Sequence, residues 1–249
     1  MNRTNIILVC LLLLVNSSVG QNVTFLHSVM IGSDGTDKVK AKGAEKRLED
    51  LHEYFTESLT NRVKNKIILP FSNAQKTSLL QSVATVYGTS DSSDMVICVW
   101  AGAWQSNPRA PELAEFVTSH SERIPAEYVV NFANFLAPHS VILYILAPQG
   151  FDFPADVLKG YDGSTASGGK HIILVRLRER GDFDDLLSAF TDVVKNMRSM
   201  EKTDSNKDGW ITTAEWIREF SKKAPAAKLT LVAYQLSKVP EYRIVQLKR

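Results

Sequence analysis

Cysteine is nearly absent. The 249 residues hold two, and one of them, Cys10, lies in an apolar leader. Cys98 is then alone in the mature chain, which excludes a disulfide framework within one molecule. It sits inside the apolar run Met95–Trp100 and reads as a buried structural thiol, not a nucleophile. Charge of one sign is lacking too. Lys and Arg number 29 against 27 Asp and Glu, for a formal net charge of +2. Nothing in that balance points to nucleic acid or an anionic membrane as a partner.

Long hydrophobic runs are scarce. Ile6–Val15 is unbroken but falls well short of the ~20 residues that a membrane helix needs. No later run is long and apolar enough to span a bilayer. Arg3 precedes the Ile6–Val15 run, and the small residues Ser18 and Gly20 follow it. Residues 1–20 therefore read as a signal peptide cleaved before Gln21, and 21–249 as one secreted domain. An uncleaved anchor is the alternative. The ending Leu-Lys-Arg carries no retention or lipid-anchor signal. Asn22, in Asn-Val-Thr, is a glycosylation acceptor.

Paired metal-ligand histidines are missing as well. His27, His52, His120, His139 and His171 are scattered, and no cysteine pair accompanies them, which argues against zinc. The glycines of 163–169 do not make a phosphate loop. Lys170 comes one place late, and the segment leads into a strand instead of a helix. It reads as a rim loop.

What the chain does have is an alternation of apolar strands and amphipathic helices. Strands are expected at Val23–Ile31, Lys66–Leu69, Met95–Ala101, Val141–Ala147 and His171–Leu177, with Ile244–Leu247 as a last one. Helices are expected at Lys38–Leu59, Asn73–Tyr87 and, broken at Pro125, Arg109–Leu136. Most strands are near-continuous apolar runs, the mark of a strand covered on both sides. The fold class is α/β, a mainly parallel sheet with helices on both faces. Sites in such folds gather at the carboxyl ends of the strands. That points to Ala101 and Ala147.

The most specific chemistry lies at Asp204–Glu215. Asp204, Asn206 and Asp208 alternate, so their side-chain oxygens can converge on one ion. Gly209 follows where a sharp left-handed turn is needed. Trp210 would offer its carbonyl, Thr212 its hydroxyl directly or through water, and Glu215 both carboxylate oxygens. Apolar residues recur at helical spacing on both sides, from Leu186 to Met197 and from Ala214 to Phe220. Ile211 fills the slot through which paired loops bridge by a short β contact. The segment 186–224 resembles an EF-hand, which implies Ca2+ as the bound ion. With no second loop of this kind and three carboxylates, the Kd expected is on the order of 10⁻⁴–10⁻³ M.

The order of elements resembles the caspase-like peptidase domain of the metacaspase and bacterial type. A first strand and long helix are followed by a short strand, then a helix introduced by Asn73-Ala-Gln-Lys-Thr, then an apolar strand after Ser-Asp. Some bacterial members also carry a helix, an acidic loop and a helix before a final strand. Family members end the third strand with Ser-Gly-His-Gly and the fourth with Asp-Ser-Cys. Here the resemblance places Ala103 at the base and Gln149 at the nucleophile, and Ala147 at the acidic pocket position. It therefore implies a pseudoenzyme, and no catalytic residue carries over.

The reading at this point is a secreted calcium-binding homologue acting in calcium-dependent binding to an unidentified protein, or in structural support. A hydrolase using other residues near Asp162–Lys170 is the alternative.

Overall fold

The computed structural model describes residues 26–36, 41, 43–58, 63–70, 76–89, 94–107, 110–118, 120–129, 140–147, 170–197, 203–235 and 243–246. Residues 1–20, expected as a leader, and Asn22, Gln149 and 162–169 lie outside them. The order is β1 (Leu26–Ser33), α1 (Ala44–Ser58), β2 (Val63–Pro70), α2 (Lys76–Thr89), β3 (Met95–Asn107), β4 (Ala110–Val117) and β5 (Arg123–Pro125). Then come β6 (Ser140–Leu146), β7 (Lys170–Leu177), α3 (Phe183–Asn196), β8 (Trp210–Thr212), α4 (Thr213–Lys223), β9 (Leu229–Gln235) and β10 (Arg243–Gln246).

The main sheet runs β2-β1-β3-β6-β7-β9. Every pair from β2 to β7 is parallel, and β9 closes the edge antiparallel to β7. The sequence dictates why β3, β6 and β7 are central. Their apolar runs have no polar face to show to water, so both faces must be covered. Alternate residues divide between two cores. Ile97, Val99, Ile142, Tyr144 and Ile173 face α1, α3 and α4. Cys98, Trp100, Leu143, Ile145 and Leu174 face Val86 of α2 and the side chains of Phe116, Ile124 and Val129. Helices thus cover both faces, as the patterning requires.

Polar pairing fixes the sheet at its amino end. His27 Nε2 lies 2.9 Å from Asp94 Oδ2, with both side chains buried. The two residues precede the central registers of β1 and β3. Removing one partner of a buried hydrogen bond leaves a desolvated polar atom, at a cost of about 1–3 kcal/mol.

Two elements differ from expectation. The described part of Arg109–Leu136 is mainly strand: it forms β4 and β5, with α-helix at 126–129. The reason is tertiary. β3 runs past Ala101 to Asn107, and its extension offers an edge on which β4 pairs antiparallel, with Ala103 opposite Val117 and Trp104 opposite Phe116. Such pairing overrides local helix propensity. The second difference is β9, which covers the free edge of β7 after a turn in which Lys228 adopts φ 59°. The last strand expected at Ile244–Leu247 is present as β10, which pairs with β8 outside the main sheet.

Candidate functional site

Thr212 and Glu215 build the acidic loop from its helical end. Thr212 is the N-cap of α4, and its hydroxyl accepts from the Glu215 amide at 3.2 Å. Glu215 returns the bond: Oε2 accepts from the Thr212 amide at 3.0 Å and from its hydroxyl at 3.1 Å. This is a reciprocal capping box. The other oxygen reaches across the loop. Oε1 accepts from the Ser205 amide at 2.8 Å and the Ser205 hydroxyl at 2.7 Å. Glu215 is only 4% exposed. Burial pushes its carboxyl up, but the hydrogen bonds from Thr212 and Ser205 together outweigh it and hold the group below the ordinary glutamate value. Such bonds favour the charged form.

Asp204 organises the other end. Its Oδ2 accepts from the Gly209 amide at 2.9 Å and its Oδ1 from the Asp208 amide at 3.2 Å. Asn206 Oδ1 accepts from the same Asp208 amide at 3.0 Å. Gly209 has φ 85°, the left-handed turn the motif requires, and Lys207 has φ 58°. The structure therefore brings Asp204 and Asn206 together around the Asp208 amide. Glu215 gathers with Thr212 and Ser205. Trp210 enters β8 through its backbone. Asn206 and Asp208 are exposed at the surface.

The donor set suits a hard cation: three carboxylates, an amide oxygen, a hydroxyl and a carbonyl. The turn at Gly209 suits it too. The oxygens of Asp204 and Glu215, however, are engaged by the loop's own N–H and O–H groups. Among the described residues, no three of His, Cys, Asp and Glu stand close enough together to hold a metal ion. Each Asp204 oxygen accepts one amide and keeps a second lone pair, whereas each Glu215 oxygen accepts two donors, so Glu215 would have to release donors to bind an ion. Ser205 was hidden from sequence reading, because the second place of such a loop carries no ligand. Arg218, on α4 beyond the loop, donates to the Ser205 hydroxyl at 3.3 Å, a contact between residues 13 apart that the loop pattern does not display.

The second candidate region is the carboxyl end of β3 and β6. Ala103 lies in the extension of β3 and is 2% exposed. Beside it the Trp104 indole, 6% exposed, donates from Nε1 to the Leu146 carbonyl at 3.2 Å. Trp104 and Trp100 both meet the Phe116 ring edge to face, with centroids 5.2 and 5.3 Å apart. These aromatics pack the region. They are not displayed as a binding surface. Cys98 lies in the middle of β3, fully buried, and burial pushes its thiol far up. A thiol held protonated in an apolar core is inert.

Against solved structures the whole architecture is recognisable. The Drosophila initiator caspase Dronc superposes with a TM-score of 0.56 at 13% identity, covering 92% of this chain and 89% of that one. Caspase-1 from Spodoptera frugiperda gives 0.55 at 10% identity, over 92% and 93%. The fold is caspase-like. Protein GSU0716 from Geobacter sulfurreducens also matches, with a TM-score of 0.54 at 10% identity over 90% of this chain and all of that one. At these identities the likeness concerns the fold alone. No family model matches the chain, and no curated protein matches it in sequence.

Proposed function

We propose that this chain uses the caspase-like fold without cysteine-peptidase chemistry, as a secreted calcium-binding protein acting in calcium-dependent binding or structural support. The observation that carries the reading is Trp104, whose buried indole is hydrogen-bonded to Leu146 across the carboxyl ends of β3 and β6. Substrate in an open α/β sheet binds at that end. Beside the indole stands Ala103, a methyl group with no capacity to take a proton. A cysteine-peptidase step needs a thiolate and a proton acceptor. Gln149, at the nucleophile position by resemblance, supplies neither and lies outside the described residues.

The calcium half rests on the donor set of 204–215. Asp204, Asn206, Asp208, Thr212, Glu215 and the Trp210 carbonyl would hold the ion, a set of oxygen donors that suits a hard cation. Secretion rests on the leader at 1–20.

The test is direct. Purified mature protein is assayed on peptides ending in Arg or Lys, with calcium and with chelator, and titrated with calcium in a calorimeter. No turnover and a binding heat with Kd on the order of 10⁻⁴–10⁻³ M are expected. Turnover abolished by a cysteine-peptidase inhibitor would overturn the pseudoenzyme reading. Absence of heat at millimolar calcium would remove the calcium half and leave a loop that serves only as a turn.

A further inference from the structure

β10 is the last described strand, and its described strand partner is β8, three residues inside the acidic loop. The pairing is antiparallel, with Arg243 opposite Thr212, Val245 opposite Ile211 and Gln246 opposite Trp210. A second loop of the same kind would ordinarily supply that partner strand. Here the chain supplies it from its own C-terminal region. So short a ladder has little stability of its own. Its persistence depends on what holds β8 in place.

Among the described residues, two side chains stand out as anchors of β8. Ile211 is fully buried among the residues that line the α3–α4 core. Glu215 is the other, and it acts on both ends of the loop at once. One oxygen holds the amide and hydroxyl of Thr212, the residue opposite Arg243. The other holds the amide and hydroxyl of Ser205, seven residues earlier in the chain. Arg218 Nη1, one helical turn after Glu215, braces the same Ser205 hydroxyl. The carboxylate therefore closes the loop upon itself, joining Ser205 to Thr212, the last residue of β8.

We propose that Glu215 is a clasp for the C-terminal strand: by tying Ser205 to Thr212 it helps Ile211 to hold β8 in the position that β10 pairs with, so seating of residues 243–246 weakens when this carboxylate is lost. The dependence needs no ion and goes beyond the reading above. A charged acceptor of four hydrogen bonds is worth more than neutral bonds of the same number. Local opening of β10 then costs what it takes to break the clasp, while the main sheet stays closed.

The experiment is hydrogen–deuterium exchange on the full mature chain, with chelator present throughout so that calcium plays no part. In Glu215→Gln, which keeps the shape but loses one acceptor oxygen, exchange of the amides in 243–246 should rise on the order of tenfold or more. Amides of β3 and β6 should keep their protection. Ser205→Ala, a milder change that spares the backbone amide, should move 243–246 in the same direction by a smaller factor. A second measurement guards against a variant that fails to fold. In the wild type, at low denaturant, the amides of Ser205, Thr212 and 243–246 should open as one unit. Unchanged exchange at 243–246 in a folded Glu215→Gln would overturn the clasp. So would wild-type β10 amides that open independently of Ser205 and Thr212. A calcium titration without heat would leave this result standing, so the two readings fail separately.

Discussion

The indole Nε1–H of Trp216 donates to the phenolic oxygen of Tyr144 at 2.9 Å, deep between α4 and the sheet. Tyr144 is on β6, in the centre of the parallel sheet, and Trp216 directly follows Glu215. One hydrogen bond thus joins the acidic loop's exit helix to the middle of the fold. The rings of Phe190 and Phe220 pack on Tyr144 with centroids 5.3 and 5.0 Å away. Burial drives the Tyr144 hydroxyl far up, and it stays protonated at any ordinary pH.

Replacing Trp216 by Phe removes the donor and leaves a phenol oxygen in an apolar site. The expected cost is about 1–3 kcal/mol for the lost bond, plus the smaller ring's packing deficit. Tyr144→Phe should cost less, because it removes a hydroxyl without shrinking the ring. The double variant should fall short of the sum of the two. Denaturant melts of the four proteins measure this. Strict additivity would show that the bond contributes nothing.

Trp104→Ala should destabilise by about 3–5 kcal/mol, as large-to-small changes of buried aromatics do. It also strips the Leu146 carbonyl of its indole donor. Trp104→Phe keeps a ring against Phe116 and should lose roughly 1 kcal/mol for the hydrogen bond. Neither variant should gain turnover of peptides ending in Arg or Lys, because Ala103 supplies no base. Thermal melts and the peptide assay read the two outcomes together.

Gly102→Ala should fold poorly. A Cβ there would meet Phe116 Cζ and the Ser33 carbonyl oxygen, each at 2.7 Å. Ser33 is pinned by its own hydroxyl, which donates to the Val117 carbonyl at 2.9 Å, so the backbone oxygen is held where it stands. Overpacking of this kind costs about 1–3 kcal/mol. The melting temperature should drop by roughly 2–4 °C per kcal/mol for a chain of this size. An unchanged melt would mean that β1 and β4 shift freely.

Acid should weaken the fold through His171. Burial pushes its imidazole below the ordinary 6.5, because the charged form is disfavoured inside the sheet. Between 6.5 and the folded value, the unfolded chain binds the proton more readily. The stability this group contributes is complete above 6.5, declines as pH falls toward the folded value, and levels off below it. Melts at a series of pH values, for wild type and His171→Gln, isolate the effect. The wild type should lose more stability on acidification than the variant, and parallel curves would rule His171 out.

The sequence by itself determined the class of this protein. Apolar runs such as Met95–Ala101 and Val141–Ala147 have no polar face, so they had to become buried parallel strands, and helices had to cover both sides. The Asp204–Glu215 spacing likewise fixed where a sharp left-handed turn and a helix start would fall, since Gly209 and the Thr212–Glu215 box act locally. Only the tertiary structure decided the rest. Phe116 joins β4 because β3 runs on and presents an edge, a non-local pairing that no window of residues displays. The carboxylate of Glu215 goes to Ser205 and Thr212 because those donors arrive from both ends of the loop. β10 pairs with β8 and not with the main sheet, a partner that no window of residues displays. Local pattern sets which faces must be buried. Which distant partner buries or pairs them is a competition that the folded chain alone resolves.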